Sequence, residues 1–274
     1  MYHLNRYKNN YIKFLNNYIY YYMKNIIKCF LTVTPNEKFY DFIKTLPDID
    51  NIYICIDNND YNIPNYDDKI KIIKIDNKES IENGFHSSVL RYNNKALSRD
   101  KSLYYFYKNN INYDYIWFIE EDVFIPTIET IKNIDIKYPD NDLLVSSNSI
   151  IYKKKTNWHW NLVNDQLNGK ISIPYSKAMI CAIRCSKKLL ECIFKHALKY
   201  KTLFLDEAMF NTIALHNNLN IKDIEELKTI VFRRCWKKNE ININNLYHPV
   251  KSIEKQYDLR SRHFECSKFK VVKD

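Results

Sequence analysis

A chain of 274 residues, 46% hydrophobic and 15% aromatic, has enough apolar material for one large domain or two small ones with a real core, which excludes a disordered chain. It has only two glycines, Gly84 and Gly169, against a usual share of roughly 7%. Walker-type, Rossmann and protein-kinase phosphate loops are therefore excluded, since each needs two or three glycines within about eight residues to bring backbone up to phosphate. The formal charge of +10 raises nucleic acid or an anionic surface as a partner. Lysines supply most of it, however, and they are dispersed, with short clusters at Lys153, Lys154, Lys155 and at Arg233, Arg234. Dispersed lysine beside abundant Asn, Ile and Tyr is the pattern of an AT-rich genome and reads as a solvated surface, so no stable nucleic-acid complex is expected.

The seven cysteines include no Cys-x-x-Cys pair, which leaves no zinc knuckle or redox motif and fits reduced thiols in a cytoplasmic setting. Residues 1–25 are rich in Tyr and Ile but are interrupted by Lys13, Asn16, Asn17, Lys24 and Asn25. No apolar stretch approaches the roughly 18 residues that span a bilayer. The expectation is a helical N-terminal extension packed on the domain. The alternative is a peripheral membrane contact through Tyr18, Tyr20, Tyr21 and Tyr22.

In chain order, Ile26 to Val33 reads as a strand, and Glu37 to Leu46 as a helix with Phe39, Phe42, Ile43 and Leu46 at helical spacing. Asn51 to Ile56 and Ile70 to Ile75 are further strands, each ending in polar residues (Asp57, Asn58, Asn59, Asp60; Asp76, Asn77). A helical segment with Leu97, Leu103, Phe106 and Tyr107 precedes Tyr115 to Ile119, an apolar strand that runs straight into Glu120, Glu121 and Asp122. Pro126 opens a helix candidate with Ile128, Ile131 and Ile134, and Leu143 to Ser146 reads as a buried strand. In the second half, Ala178 to Ile183 reads as a strand, with helices over Ser186 to Tyr200 and Glu207 to His216. Alternating short apolar strands and helices predict an α/β fold, a mostly parallel central sheet flanked by helices. Ligands of such sheets bind beyond the carboxyl ends of the strands, where Asp57 and the acid cluster fall.

Three successive acids after an apolar strand need cationic compensation, because like charges at close range disfavour joint ionisation. A divalent ion with oxygen ligands, Mg²⁺ or Mn²⁺, supplies it and completes its shell with phosphate oxygens and water. The alternative is an acidic turn capping the helix after Pro126.

On these residues the chain resembles the GT-A glycosyltransferases, whose nucleotide-sugar site carries an Asp-x-Asp type motif at the end of a central strand. Glu120, Glu121, Asp122 stands as a variant of that motif. The likeness extends to the block Lys95 to Phe106, similar to sequences of viral and protist type, to Trp158, His159, Trp160 and to His248, Pro249, Val250, Lys251. It implies a GT-A type domain over 26–251, with a nucleotide-sugar-binding half at 26–146, an acceptor half at 147–251 and a C-terminal tail at 252–274.

The resemblance further implies that Asp122 and His248 hold the metal, that Glu120 contacts the ribose or a metal-bound water and that Lys251 neutralises the leaving diphosphate. Glu120 stands where the family has Asp, and its extra methylene makes the ribose contact the less secure of these. Thr32, Asp57 and Glu121 would complete the nucleotide-sugar site, with Arg99, Asp100 and Lys101 as its next wall. Those three read equally as helix-surface charges. For the acceptor hydroxyl, Glu207 is the better candidate base, because Asp206 reads as the helix N-cap. Trp158 and Trp160 alternate with His159, so a strand would aim both indoles to one side, as an acceptor platform or as core.

The implied reaction is sugar transfer from a nucleoside-diphosphate sugar, a UDP-sugar first, to a glycan, protein or other hydroxyl, with Mn²⁺ or Mg²⁺. A giant-virus or protist source is the accompanying expectation. The rivals are a metal-dependent nucleotidyltransferase and a non-catalytic basic nucleic-acid-binding protein.

Overall fold

The computed structural model describes residues 24–63, 69–87 and 98–268, with side chains up to residue 260 apart from Ser98. The N-terminal extension before Lys24 and the start of the Lys95 block lie outside the described residues.

The fold is mixed α/β. Strands β1 (Ile26–Thr32), β2 (Ile52–Ile56), β3 (Lys71–Lys74), β4 (Tyr115–Glu120), β5 (Leu143–Val145), β8 (Ala182–Ser186) and β9 (Ile221–Asp223) form a seven-stranded sheet in the order β3-β2-β1-β4-β8-β5-β9. The pairs β1–β2, β2–β3, β1–β4 and β5–β9 are parallel, while β8 lies antiparallel between β4 and β5. A short antiparallel pair, β6 (Ser149–Ile151) and β7 (Tyr175–Lys177), forms a separate two-stranded sheet.

Residues of β1, β2 and β4 are buried on both faces, which is why these segments read as unbroken apolar runs. Successive side chains go to opposite faces of a strand. Ile27, Cys29, Leu31, Ile116 and Phe118 enter one core, which also contains residues of the helices Ser98–Lys108 (α3), Lys187–Tyr200 (α6) and Asp206–His216 (α7). Ile26, Phe30, Trp117 and Ile119 enter the other, with residues of α1 (Glu37–Thr45) and α4 (Thr130–Lys137). Helix α2 (Asn77–Glu82) follows β3, and α5 (Trp160–Leu167) lies between β6 and β7.

Three expectations differ in detail. The helix after Pro126 begins at Thr130 and leaves Ile128 outside. The strand expected at Ala178 begins at Ala182. The expected tail carries a helix, α8 (Ile253–Lys268), whose first turns are part of the fold. Leu259 joins Phe124, Trp236, Tyr247 and Val250 in a third apolar cluster, and Arg260 Nε donates 3.0 Å to the Ile125 carbonyl.

The chain goes outward from β1 through β2 to β3, then returns to place β4 on the other side of β1. The connections therefore diverge between β1 and β4, opening a crevice at their carboxyl ends, where an open α/β sheet binds its ligands. Thr32 and Glu120 are the terminal residues of those two strands.

Candidate active site at the β1–β4 switch point

A cleft of about 530 Å³ opens at this crevice, lined among others by Thr32, Arg99, Glu120, Glu121, Asp122, Cys181, Asp206, Glu207 and Lys251. A larger cleft of about 630 Å³, lined by residues of α3 and α6, shares none of these residues.

Backbone pairing assembles the acid cluster. Glu121 N–H donates 3.0 Å to the Leu31 carbonyl and Glu120 N–H 2.9 Å to that of Cys181, fixing the turn after β4 to both neighbouring strands. Phe124 and Tyr247 exchange backbone hydrogen bonds at 2.8 and 3.1 Å, and Val250 N–H donates 2.7 Å to the Asp122 carbonyl. This pairing brings His248, far along the chain, beside Asp122. Gln256 of α8, buried, secures the arrangement, because its Nε2 donates 3.0 Å to each of the carbonyls of Glu121 and Val250.

His248 Nδ1 lies 2.7 Å from the Val231 carbonyl, and its Nε2 lies 3.4 Å from Asp122 Oδ1 and 3.9 Å from Glu120 Oε2. Donation from Nδ1–H to the carbonyl leaves the Nε2 lone pair facing the two carboxylates, the orientation of a metal-ligating imidazole with its tautomer set from behind. Burial works against the imidazolium, but Asp122, the Val231 carbonyl and Glu120 outweigh it and raise the His248 pKa. Two carboxylates and one imidazole, with open cleft beside them, fit a divalent ion that keeps positions for water and phosphate oxygens. Asp122, Glu120 and His248 would hold it.

Arg99 is the cation that compensates the acids in the protein itself. It is 3% exposed; Nη2 donates 2.6 Å to Glu120 Oε1, and Nη1 donates 2.6 Å to Asp206 Oδ2. One oxygen of Glu120 is thereby pinned, and the other faces His248. Burial raises the Asp206 pKa, with Arg99 opposing. Asp206 is the first residue of α7 rather than its N-cap, and its Oδ1 accepts 2.9 Å from Glu207 N–H. Glu207, half-buried, is pushed up to about 7 by burial and by Asp206, against Lys177 and Arg99.

Of the expected wall of Arg99, Asp100 and Lys101, Arg99 lines the cleft and the other two do not. Lys101, 1% exposed, donates to Asp57 and Asn77. Asp100, fully buried, accepts 2.9 Å from Ser87 N–H, and burial raises its pKa well above the usual range. α3 turns these charges into the core, because its inner face packs on β1 and β2 and each charge finds a counter-charge or donor there. Asp57 with Lys101 lies outside the cleft lining, whereas the exposed Lys251 stands on its rim. Thr32 donates its hydroxyl to Glu121 Oε2, joining the ends of β1 and β4.

The two tryptophans do not share a strand face. Trp158 adopts a positive φ of 54°, and Trp160 opens α5. Trp160, Val163 and Leu167 are buried at helical spacing, a period of 3.6 rather than 2. Trp160 is 3% exposed and stacks on Tyr175, so it offers no platform; the Lys177 ammonium sits 4.0 Å over the Trp158 ring. Sequence reading missed Cys181 and Gln256. The first lies opposite Glu120 only because β8 runs antiparallel, and the second acts only through the packing of α8.

No family model and no curated protein matches the chain. Among solved structures, it is similar to a 4-diphosphocytidyl-2C-methyl-D-erythritol synthase from Anaerococcus prevotii (TM-score 0.43, 10% identity, covering 88% of this chain and 96% of that one). It is also similar to mouse xyloside xylosyltransferase 1 (TM-score 0.35, 10% identity, 73% and 85% covered). A third is a Thermus thermophilus structure described as mannose-1-phosphate geranyltransferase (TM-score 0.33, 7% identity, 72% and 68% covered). Likenesses this distant carry no functional argument.

Proposed function

We propose that this chain is a metal-dependent glycosyltransferase of GT-A type that transfers a sugar from a nucleoside-diphosphate sugar, a UDP-sugar first, to the hydroxyl of a glycan or protein. One observation carries the reading. At the switch point the buried His248 faces Glu120 and Asp122, and these two acids line a cleft shared with the rim cation Lys251 and with Glu207, a carboxyl poised near neutrality.

A divalent ion held there supplies positive charge to the diphosphate. The chain's own residues do the rest. Lys251 brings its ammonium to the diphosphate oxygens and favours the departing group over the bound donor. Arg99 holds Glu120 and Asp206 in place and, with both Nη atoms engaged, positions the acids rather than binding phosphate. Glu207 takes the proton of the acceptor hydroxyl at a carboxylate oxygen; a base with a pKa near the working pH combines a useful ionised fraction with useful basicity. The acids at the end of β4 favour a cation-bound diphosphate over a bare one.

Thermal unfolding with UDP, GDP, CDP or ATP, each with and without Mn²⁺, tests the donor site, and released UDP tests transfer. At a hundredfold excess over Kd, a ligand that binds only the folded state stabilises it by about 2.7 kcal/mol, roughly 5–10 °C for a domain of this size. The expected result is a metal-dependent rise with UDP, lost together with transfer in Asp122→Ala. A rise confined to nucleoside triphosphates, with pyrophosphate release, would mark a nucleotidyltransferase. No metal-dependent rise with any nucleotide removes the proposal.

A further inference from the structure

The antiparallel course of β8 gives the metal cluster a member that the acid motif does not contain. The backbone bond from Glu120 N–H to the Cys181 carbonyl, 2.9 Å, continues the β4–β8 register one step beyond the Ile119–Ala182 pair, so Cys181 stands directly across from Glu120. One ligand atom from each of Glu120, Cys181 and His248 lies within 4.8 Å of the others. Asp122 Oδ1, 3.4 Å from His248 Nε2, borders the same group. Cys181 lines the cleft although it is 8% exposed.

We infer that Cys181 is a metal ligand and that, with Glu120 and His248, it makes this site select thiophilic divalent ions such as Zn²⁺ and Co²⁺ over Mg²⁺. Oxygen, sulfur and nitrogen donors together form the ligand set that tetrahedral zinc accepts, with bonds of about 2.0–2.3 Å. Mg²⁺ demands six near-ideal oxygen positions and gains nothing from sulfur. In such a tetrahedron the donors stand ~3.5 Å apart, close to the 3.9 Å that already separates His248 Nε2 from Glu120 Oε2. Ligation replaces the S–H bond by a sulfur–metal bond and releases the proton to solvent. The inference rests on the metal site of the proposed transferase and names which ions that site prefers.

Other described thiols are handled in the test. Cys29, Cys55 and Cys185 are buried in the core on the other face of the sheet from Cys181, while Cys192 is half-buried and Cys235 exposed. The full chain carrying Cys192→Ser, Cys235→Ser and Cys266→Ser is titrated with Co²⁺. A sulfur-to-cobalt charge-transfer band in the near ultraviolet is expected beside the visible ligand-field bands, removed by Zn²⁺ but not by a hundredfold excess of Mg²⁺. Cys181→Ser should lose the charge-transfer band and weaken Zn²⁺ binding by at least the roughly 10–100-fold that outer-shell partners alone contribute. X-ray absorption of the zinc-loaded parent, which needs no change at Cys181, should show one sulfur neighbour at about 2.3 Å.

Ligand-field bands without a sulfur contribution overturn the role of Cys181 and leave the metal site standing. Displacement of Co²⁺ by Mg²⁺ overturns the selectivity. No cobalt bands at all overturn this inference, whereas the transferase reading stands or falls on the metal-dependent rise with nucleotide.

Discussion

Replacing Arg99 by Met keeps most of the side-chain volume and removes the charge that two carboxylates share. Their environments differ, and so do the costs. Asp206 is 5% exposed at its side chain, so an unpaired charge there belongs to the class of broken buried pairs, at about 3–5 kcal/mol. The Glu120 side chain is 35% exposed and solvent screens it, so that half contributes at most about 1 kcal/mol. The expected loss at pH 7 is about 4 kcal/mol, or roughly 8–16 °C in Tm.

The loss depends on pH with a definite sign. Burial already raises the Asp206 pKa in the wild type, so the folded state binds its proton more readily than the unfolded chain and this group's contribution falls as pH rises. Without Arg99 the pKa rises further, and the penalty is largest above it and shrinks as acid neutralises the carboxyl. Urea unfolding of wild type and Arg99→Met at pH 7 and pH 5 measures this difference. Asp206→Asn in the same background should restore much of the loss at pH 7, as a coupled pair requires. A loss below about 1 kcal/mol at pH 7, or one equal at both pH values, refutes the account of Arg99 as the charge that permits the acid cluster.

Glu207→Gln should lower turnover by roughly 10²–10⁴-fold, the usual worth of a positioned base, with donor binding changed little. The rising limb of the wild-type pH profile, expected at about 7, should vanish with it; an unchanged profile removes Glu207 as the base. Gln256→Leu removes the two hydrogen bonds donated to the carbonyls of Glu121 and Val250 and the one accepted from Arg260 Nη2. It should cost about 3 kcal/mol at roughly 1 kcal/mol per hydrogen bond, and calorimetry should show Mn²⁺ affinity reduced by roughly 10–100-fold. Lost stability with unchanged metal affinity would make Gln256 purely structural.

The central strands were legible because burial on both sheet faces demands unbroken apolar runs, as at Ile52–Ile56 and Tyr115–Ile119. The acid cluster was legible for the opposite reason, since three charges at a strand end conflict with local burial. Trp158 and Trp160 were misplaced because two aromatics separated by one residue satisfy a strand pattern over three positions, and only Val163 and Leu167 further on reveal the helical period. Lys101 and Arg99 look like surface charges because sequence does not show the distant carboxylates, Asp57, Glu120 and Asp206, that receive them.

Sequence by itself determined the α/β class, the position of the acids at the end of a central strand and the exclusion of a glycine-built phosphate loop. Each follows from local composition and periodicity. Tertiary structure decided what compensates the acids, which side chains face the cleft and which thiol stands beside them. Arg99 meets Asp206 across 107 positions, His248 reaches Asp122 through the pairing of Phe124 with Tyr247, and Cys181 faces Glu120 because β8 runs antiparallel. Strand direction and long-range pairing are settled by global packing, where contacts between distant segments outweigh any local preference, and so no window of sequence contains them.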